Sequence, residues 1–256
     1  MTRIVTIVNQ KGGVGKTTTA VNLAACLGAL EKRVLLVDMD PQGNATSMSA
    51  LTTPVGRTVY DMMGDPSLTA VYDTELPYLK VMPANRDLTG AEIELLDLEK
   101  REFVLRGILD RVKRKFDLII IDSPPSLNIL TVNNLAAADG LIVPIQCEYF
   151  ALEGVSRILE TIERIRPLNP HLAIDGIILT MYDKRVKLTF DVEQEVRRHF
   201  KKTVFETVIA RNVKLSESPS FGKPIILYDI ASTGARQYLA LAEEYLKRIG
   251  KGGTGG

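Results

Sequence analysis

A glycine-rich segment stands between an apolar run and a helix-forming run near the start of the chain. Residues 9–18 read Asn-Gln-Lys-Gly-Gly-Val-Gly-Lys-Thr-Thr, preceded by the apolar residues 4–8 and followed by the helix-forming residues 20–30. Glycines let backbone N–H groups converge on phosphate oxygens, and the N-terminus of the following helix adds a favourable dipole. The segment therefore predicts a strand, a phosphate-binding loop and a helix in succession.

Short apolar runs recur further along the chain, with amphipathic helical patterns between several of them. Runs of this kind, without alternation of polar and apolar residues, are typical of strands buried on both faces of a parallel sheet. They predict an α/β fold with a doubly wound, mostly parallel sheet and helices on both faces. The runs are residues 4–8, 34–37, 118–121, 141–145 and 174–179.

The composition is that of one globular domain, with 45% hydrophobic and 25% charged residues among 256. We expect a single domain over residues 1–250 and a flexible glycine-rich tail over residues 251–256. Between residues 51 and 87 the pattern weakens into Pro, Gly and Asp, which indicates an excursion on the sheet. Helix is expected to resume over about 91–115, with long helices over 152–166, 189–200 and 234–249.

The sequence lacks two features, a long apolar run and closely spaced cysteines, and each narrows the class of protein that it predicts. The chain has no run of roughly 20 apolar residues that would span a membrane, and its start leads directly into a strand, so a cytoplasmic location is expected. Cys26 and Cys147 stand far apart without CxxC spacing, which predicts neither a disulfide framework nor a metal or cluster site.

The glycine-rich loop predicts binding of Mg-ATP. Lys16 should bind the β- and γ-phosphates, and the Thr17 hydroxyl should ligate Mg²⁺. The general pattern GxxxxGK[ST] requires glycine at position 10, where this chain has Gln10. The loop residues expected to contact the nucleotide are Lys11, Gly12, Gly13, Val14, Gly15, Lys16, Thr17 and Thr18.

The early lysine offsets that departure, because KGGxGKT resembles the deviant P-loop of the ParA and MinD superfamily. The resemblance implies that Lys11 crosses a dimer interface to the partner's phosphates and takes part in catalysis with Lys16. It also implies that ATP closes two copies of the chain into a sandwich dimer.

Two acidic segments extend the resemblance. Asp38 to Asn44 reads DMDPQGN, similar to the switch I segment of ParA-type ATPases, which implies that Asp40 orients or deprotonates the attacking water and lies at the metal. The alternative is that Asp40 only caps the turn before Pro41. Asp122 ends an apolar run and is the candidate Walker B ligand of Mg²⁺; the alternative is a helix cap.

Segments 144–154, 180–183, 209–213 and 218–223 also resemble this superfamily. They imply that Glu148 reaches the ribose across the dimer, although an exposed loop glutamate is an equal alternative. Met181, Ala210 and Asn212 would lie on the adenine side, and relatives commonly have proline where this chain has Ala210. The resemblance runs from Ile4 to about Ile249 and is closest to the short, chromosomal ParA or Soj type.

A basic segment predicts the output of such a switch. The net charge is only +1, yet residues 184–214 contain nine Lys and Arg against four acids. As a group these cations favour sequence-independent, salt-sensitive DNA binding, whereas any single one is as easily explained by a solvated helix face. They are Lys184, Arg185, Lys187, Arg197, Arg198, Lys201, Lys202, Arg211 and Lys214.

The expected function is therefore that of an ATP-dependent DNA partition ATPase in the ParA manner. The resemblance implies an ATP-bound homodimer on non-specific double-stranded DNA, association with the nucleoid, and stimulation by a ParB-like centromere-binding protein. The alternatives are a MinD-like membrane-associated ATPase and a ParA-like ATPase that positions a protein cargo. The last helix carries two glutamates and several alanines, which disfavours membrane binding.

Two further classes are disfavoured by particular residues. Metabolic P-loop ligases would bind a small acceptor, and Lys11 together with the DMDPQGN segment argues against them. Iron-sulfur carriers need paired cysteines at the dimer axis, and Cys26 and Cys147 do not match that pattern.

Overall fold

The computed structural model describes residues 2–148 and 151–252. The strands are β1 Arg3–Ile7, β2 Val34–Asp38, β3 Tyr72–Asp73, β4 Leu79–Met82, β5 Leu118–Asp122, β6 Gly140–Gln146, β7 Ala173–Tyr182 and β8 Val204–Ala210. The helices are α1 Lys16–Ala29, α2 Asn44–Ser47, α3 Val59–Gly64, α4 Leu88–Glu94, α5 Val104–Val112, α6 Ile129–Ala137, α7 Ala151–Ile165, α8 Lys187–Phe200, α9 Val213–Glu217, α10 Ile225–Tyr228 and α11 Thr233–Gly252.

The strands form one sheet in the order β3-β4-β2-β5-β1-β6-β7-β8. Every pairing is parallel except that of the two-residue edge strand β3 with β4. The predicted fold class is thus confirmed. The carboxyl ends of the parallel strands share one edge of the sheet, and β1, which leads into the glycine-rich loop, lies at the centre between β5 and β6. Ligands of such sheets bind at this edge.

Apolar side chains fill a core on each face of the sheet. Within β5, Ile119 and Ile121 point into one core and Ile120 into the other, because successive side chains of a strand alternate. Helices α1 and α11 cover the face to which Ile120 points, and α5 to α8 cover the opposite face. Burial on both sides explains why these strands are continuous apolar runs.

Several elements differ from the sequence expectation. The excursion over 51–87 contributes β4, which pairs with β2 and is interrupted by the half-buried Lys80. The helical stretch expected over 91–115 is two helices, α4 and α5, separated by 3₁₀ turns. Helix α11 continues to Gly252, and the rest of the expected tail, residues 253–256, lies outside the described residues.

The sequence pattern does not predict strand β8, because it is an edge strand whose apolar run is broken by the exposed Glu206 and the half-buried Thr207. Helix α11 covers its backbone. The Glu244 carboxylate accepts hydrogen bonds from the N–H groups of residues 206 and 207, at 2.9 and 3.0 Å. Gln237 accepts from the Ala210 N–H at 3.0 Å, and Arg248 donates to the carbonyls of residues 203 and 204. These bonds occupy backbone groups of an edge strand that could otherwise pair with a strand of another chain.

We expect Glu244→Ala to lower the free energy of unfolding by about 1–3 kcal/mol, because two backbone donors lose a charged acceptor whose side chain is only 19% exposed. Burial raises the pKa of Glu244, but bonds from the Thr207 and Glu206 amides and from Arg248 outweigh it and hold this pKa below its usual value. A lowered pKa stabilises the folded state above the ordinary carboxylate pKa, and this contribution is lost as the pH falls through the folded value. Urea unfolding at neutral and acidic pH should therefore show a difference from wild type that shrinks in acid.

The exposed neighbour Glu243 provides the matched control. Glu243→Ala should change the free energy of unfolding by less than about 0.5 kcal/mol. Equal losses for the two variants would show that helix composition matters at these positions and that the contacts with β8 do not.

Candidate nucleotide-binding site

The glycine-rich loop leaves β1 and enters α1 at the carboxyl edge of the sheet. Gly13 and Gly15 have φ of +76° and +88°, which side-chain-bearing residues rarely adopt. Gly15 precedes the first residue of α1, and this helix start carries no side-chain cap within the described residues. Its first N–H groups therefore point into the loop with the positive end of the helix dipole, as an anion site requires.

Lys16 lies inside this loop. Its side chain is buried, with the residue 7% exposed, and its Nζ donates to the Lys11 carbonyl at 3.1 Å. Burial lowers the pKa of Lys16, and the charges of Asp122 and Asp40 oppose that shift. Among the described residues this carbonyl is the hydrogen-bond acceptor of the ammonium, and a phosphate would offer it a charged acceptor in place of this neutral one.

Two carboxylates lie side by side beneath the loop. Asp38 and Asp122 end neighbouring strands in the same register, and both are fully buried. Burial is the largest cause that raises the pKa of each, and nearby carboxylate charge adds to it. Asp38 is satisfied by the Thr46 N–H and hydroxyl, at 2.8 and 2.7 Å, and by the Asp40 N–H at 3.1 Å.

Asp122 is different, because neither of its carboxylate oxygens accepts a hydrogen bond of normal length and angle among the described residues, although the Thr17 side chain is near enough to act against the burial that raises the pKa of Asp122. A buried, unpaired carboxylate is costly, and a cation with oxygen ligands would offset that cost. No group of three or more His, Cys, Asp and Glu side chains in the described ranges is arranged to hold a metal alone. The residues present therefore fit Mg²⁺ that takes its other ligands from phosphate and water, as this ion commonly does.

Asp40 lies in the loop after β2 and is 7% exposed. Its Oδ1 accepts from the Gln42 N–H at 2.9 Å, which is the turn cap that a purely structural role requires. This bond uses one carboxylate oxygen and leaves Oδ2 for another partner. The geometry therefore accommodates the structural and the catalytic interpretation together.

The side chain of Lys11 lies at the surface, whereas that of Lys16 is buried. Its Nζ pairs with Glu148 Oε2 at 2.5 Å, and both side chains are about half exposed, at 48% and 46%. An ion pair this exposed contributes only about 0.2–1 kcal/mol to stability. Lys11 is therefore held at the surface by a bond that is easily exchanged, outside the interior that Lys16 occupies.

The three residues expected on the adenine side come together at the ends of β7 and β8. Met181 has φ of +50°, a strained value for a residue with a side chain. Its neighbour Tyr182 pairs with Ala210 in the sheet and accepts from the Arg211 N–H at 3.0 Å. Asn212 Oδ1 caps α9 by accepting from the N–H groups of residues 214 and 215, and these bonds do not use the amide N–H donors of Asn212.

The basic residues do not form one surface. Helix α8 has 14 residues and is about 20 Å long, running from the carboxyl ends of the strands, which we call the carboxyl edge, to their amino ends, the amino edge. One group, which we name the carboxyl-edge cations, flanks the ends of β7 and β8; the other, the amino-edge cations, lies at the far end of α8 and before β8. The carboxyl-edge cations are Lys184, Arg185, Lys187, Arg211 and Lys214, and the amino-edge cations are Arg197, Arg198, Lys201 and Lys202.

Ion pairs divide these groups further. Arg185 pairs with Asp183, Arg197 with Glu193 and more distantly with Glu206, Arg198 with Glu195, and Lys214 with Glu217. The charge of Arg211 acts on Asp183, which forms its ion pair with Arg185. Five exposed cations form no ion pair with a carboxylate among the residues described: Lys184, Lys187, Lys201, Lys202 and Arg211. An anionic polymer could bind these five cations without displacing a carboxylate from an ion pair.

Asp38 and Asn9, for which the sequence predicts no role, help to shape the site. Asp38 fixes the loop after β2, and its signal was a carboxylate at the end of an apolar strand, two positions before Asp40. Asn9 donates to the Pro144 carbonyl at 2.8 Å and accepts from the Lys11 N–H at 3.0 Å. Nothing in the sequence pattern distinguished this asparagine from an ordinary loop residue.

Among the described residues, no helix is both long enough and apolar enough to cross a membrane. The family described as an AAA domain matches residues 2–174. The Myxococcus xanthus protein named chromosome partitioning protein ParA is 55% identical over 250 residues, which cover 96% of this chain and 88% of that protein. The Bacillus subtilis protein named sporulation initiation inhibitor protein Soj is 52% identical over 248 residues, covering 95% and 98%.

A solved structure agrees with the fold over almost the whole chain. It is that of cobyrinic acid a,c-diamide synthase from Mycobacterium smegmatis with bound ADP and magnesium. It has a TM-score of 0.83 and 37% identity, covering 98% of this chain and 97% of the other.

Proposed function

We propose that this chain, which belongs to the ParA/Soj family of AAA-domain chromosome-partitioning ATPases, works as a homodimer that ATP closes on DNA and hydrolysis opens. The chain is an ATPase that uses ATP and Mg²⁺. In the proposed cycle each loop contributes Lys11 to the nucleotide of the partner subunit. Residues Gly12 to Thr18 hold the phosphates of the chain's own nucleotide.

The observation that carries this proposal is the divergence of the two loop lysines. Lys16 is buried within its own loop, whereas Lys11 is half exposed and pairs with a surface glutamate. A lysine that faces outwards beside a phosphate site is available to a second subunit. When the dimer closes, Lys11 would leave Glu148 and contact the partner's phosphates. Glu148 would then be free to contact the ribose of the partner's nucleotide.

The hydrolytic roles follow from the carboxylates. Thr17 and Asp122 would hold Mg²⁺ with Asp40 nearby, and the ion supplies charge neutralisation for the phosphates. Asp40 would orient the attacking water through the oxygen that its turn cap leaves unused. Lys16 and Lys11 would stabilise the negative charge of the transferring phosphoryl group.

DNA would bind the carboxyl-edge cations, which lie at the same edge of the sheet as the nucleotide loop. A closed dimer doubles this surface, so two weak patches act as one. Hydrolysis would separate the patches and release DNA. A ParB-like centromere-binding protein is the proposed activator, and nucleoid association follows from the DNA binding.

The Mycobacterium structure is named a cobyrinic acid a,c-diamide synthase, which corresponds to the metabolic alternative. Its 37% identity is lower than the 55% and 52% of the two partition relatives, which also cover nearly the whole chain. The outward Lys11 further favours the dimeric switch.

The test is binding of the purified protein to non-specific duplex DNA at two salt concentrations, with ATP, ADP or no nucleotide, beside liposome sedimentation. ATP-dependent binding that weakens with salt, without liposome binding, is expected. Liposome binding alone would assign the membrane-associated alternative. Binding to neither would overturn the DNA proposal in favour of a protein cargo or a small acceptor.

Arg211→Ala should weaken DNA binding several-fold and reduce the salt dependence by about one phosphate contact, because Arg211 is an exposed carboxyl-edge cation that forms no ion pair with a carboxylate in the described ranges. The ATP-dependent dimer should be preserved, as light scattering can show. The matched control is Lys202→Ala, which removes an unpaired cation from the amino edge. Equal loss in both variants would contradict a DNA surface restricted to the carboxyl edge.

A further inference from the structure

A side chain from β7 reaches the apex of the nucleotide loop. The Thr180 hydroxyl donates to the Val14 carbonyl at 2.8 Å, across 166 residues of sequence. Both residues are almost completely buried, at 2% and 1% exposure. Because a buried carbonyl needs a donor, this bond satisfies a group that the loop itself does not.

The bond also fixes the direction of the next N–H group. In a planar trans peptide the C=O of one residue and the N–H of the following residue point in opposite directions. When Thr180 holds the Val14 carbonyl towards β7, the Gly15 N–H must point away from β7. Gly15 has φ of +88° and allows several backbone orientations, so its own conformational preference does not fix this direction.

The methyl group of Thr180 supports the same arrangement. A Cβ added to Gly15 would lie 3.9 Å from Thr180 Cγ2, so this methyl group faces the glycine at the distance of an ordinary van der Waals contact with an added side chain. Thr180 also precedes Met181, which has φ of +50°. The end of β7 thus links the phosphate loop to the segment expected beside the base.

We infer that Thr180 is a positioning residue that orients the Val14–Gly15 peptide for phosphate binding. This inference rests on the proposed ATP binding at the loop. Without the hydroxyl, the Val14–Gly15 peptide rotates in the free protein, and the nucleotide binds only the fraction of molecules in which the N–H is correctly directed. The apparent affinity falls by that fraction.

Thr180→Val removes the hydroxyl and keeps the shape. We expect it to weaken Mg-ADP and Mg-ATP binding about tenfold, the size expected when a buried carbonyl loses its donor. AMP affinity, measured by competition against fluorescent ADP, should fall by a smaller factor than ADP affinity, because AMP lacks the β-phosphate that the loop N–H groups bind. The kcat at saturating ATP should stay within about twofold, and Thr180→Ser should restore the affinity because it keeps the donor.

The matched control is Thr74→Val, which removes another buried hydroxyl that donates to backbone carbonyls, far from the loop. It should lower the unfolding temperature while leaving nucleotide affinity unchanged. Thr180→Ala provides the same comparison of ADP with AMP if the valine variant does not fold. Wild-type affinity of Thr180→Val or Thr180→Ala for ADP, or an equal loss for AMP, would overturn the inference. Failure of the wild-type chain itself to bind ATP would instead overturn the proposed function.

Discussion

Lys16→Ala is expected to weaken ATP binding at least about a hundredfold. The variant loses the buried ammonium inside the loop, and with it the charge-assisted bonds to the phosphates. It also removes the positive charge that acts on the Asp122 and Asp40 carboxylates, so their negative charge repels the phosphates more strongly than in the wild type. Isothermal calorimetry with Mg-ATP measures the loss directly.

Lys11→Ala is the informative comparison, because Lys11 belongs to the same loop but lies outside its interior. Under the proposed function, Lys11→Ala keeps ATP binding by the monomer and loses the ATP-dependent dimer. Tight ATP binding by Lys16→Ala would contradict the assignment of the loop as the phosphate site. Loss of monomer binding in both variants would contradict the separate roles of the two lysines.

Asp40→Ala is expected to retain ATP and the closed dimer while turnover falls at least about a hundredfold, because the attacking water loses the carboxylate that orients it. Phosphate release at saturating ATP, together with dimer formation by light scattering, separates the two steps. The alanine variant also loses the turn cap to the Gln42 N–H, so a low rate alone does not distinguish catalysis from structure.

Asp40→Asn resolves that ambiguity. Its side-chain oxygen can still cap the turn, but it is neutral and a poor acceptor of a proton. We expect Asp40→Asn to be as inactive as Asp40→Ala. If the asparagine variant hydrolysed ATP at the wild-type rate, Asp40 would be a turn cap and nothing more.

The elements that could be predicted from sequence are those whose physical cause is local. The glycine-rich loop between β1 and α1 and the apolar central strands follow from spacing and composition, and the structure has them at the predicted places. Strand β8 could not be predicted in this way, since the bonds between its backbone and a side chain of α11 join residues 37 and 38 positions apart. Strand β4 is short and carries a lysine, so its pairing depends on β2.

The same distinction applies to the candidate site. The cations of residues 184–214 are contiguous in sequence, yet α8 separates them into two groups about 20 Å apart. Four of them pair with acids two to four residues away, which is a local pattern, whereas the contact between Lys11 and Glu148 joins residues 137 positions apart. Charge counts along a sequence therefore overstate the surface available to a single partner.

The contacts between α11 and β8 also restrict how a flexible partner can be recognised. Many proteins bind an extended peptide by accepting it as one more strand at a sheet edge, with the main chain providing most of the affinity. At β8 the N–H groups of residues 206, 207 and 210 are already bonded to side chains of the chain's own last helix. A peptide that arrives here must compete with acceptors held at very high local concentration. Strand addition is therefore disfavoured at β8, and the proposed activator would have to bind another surface of the chain.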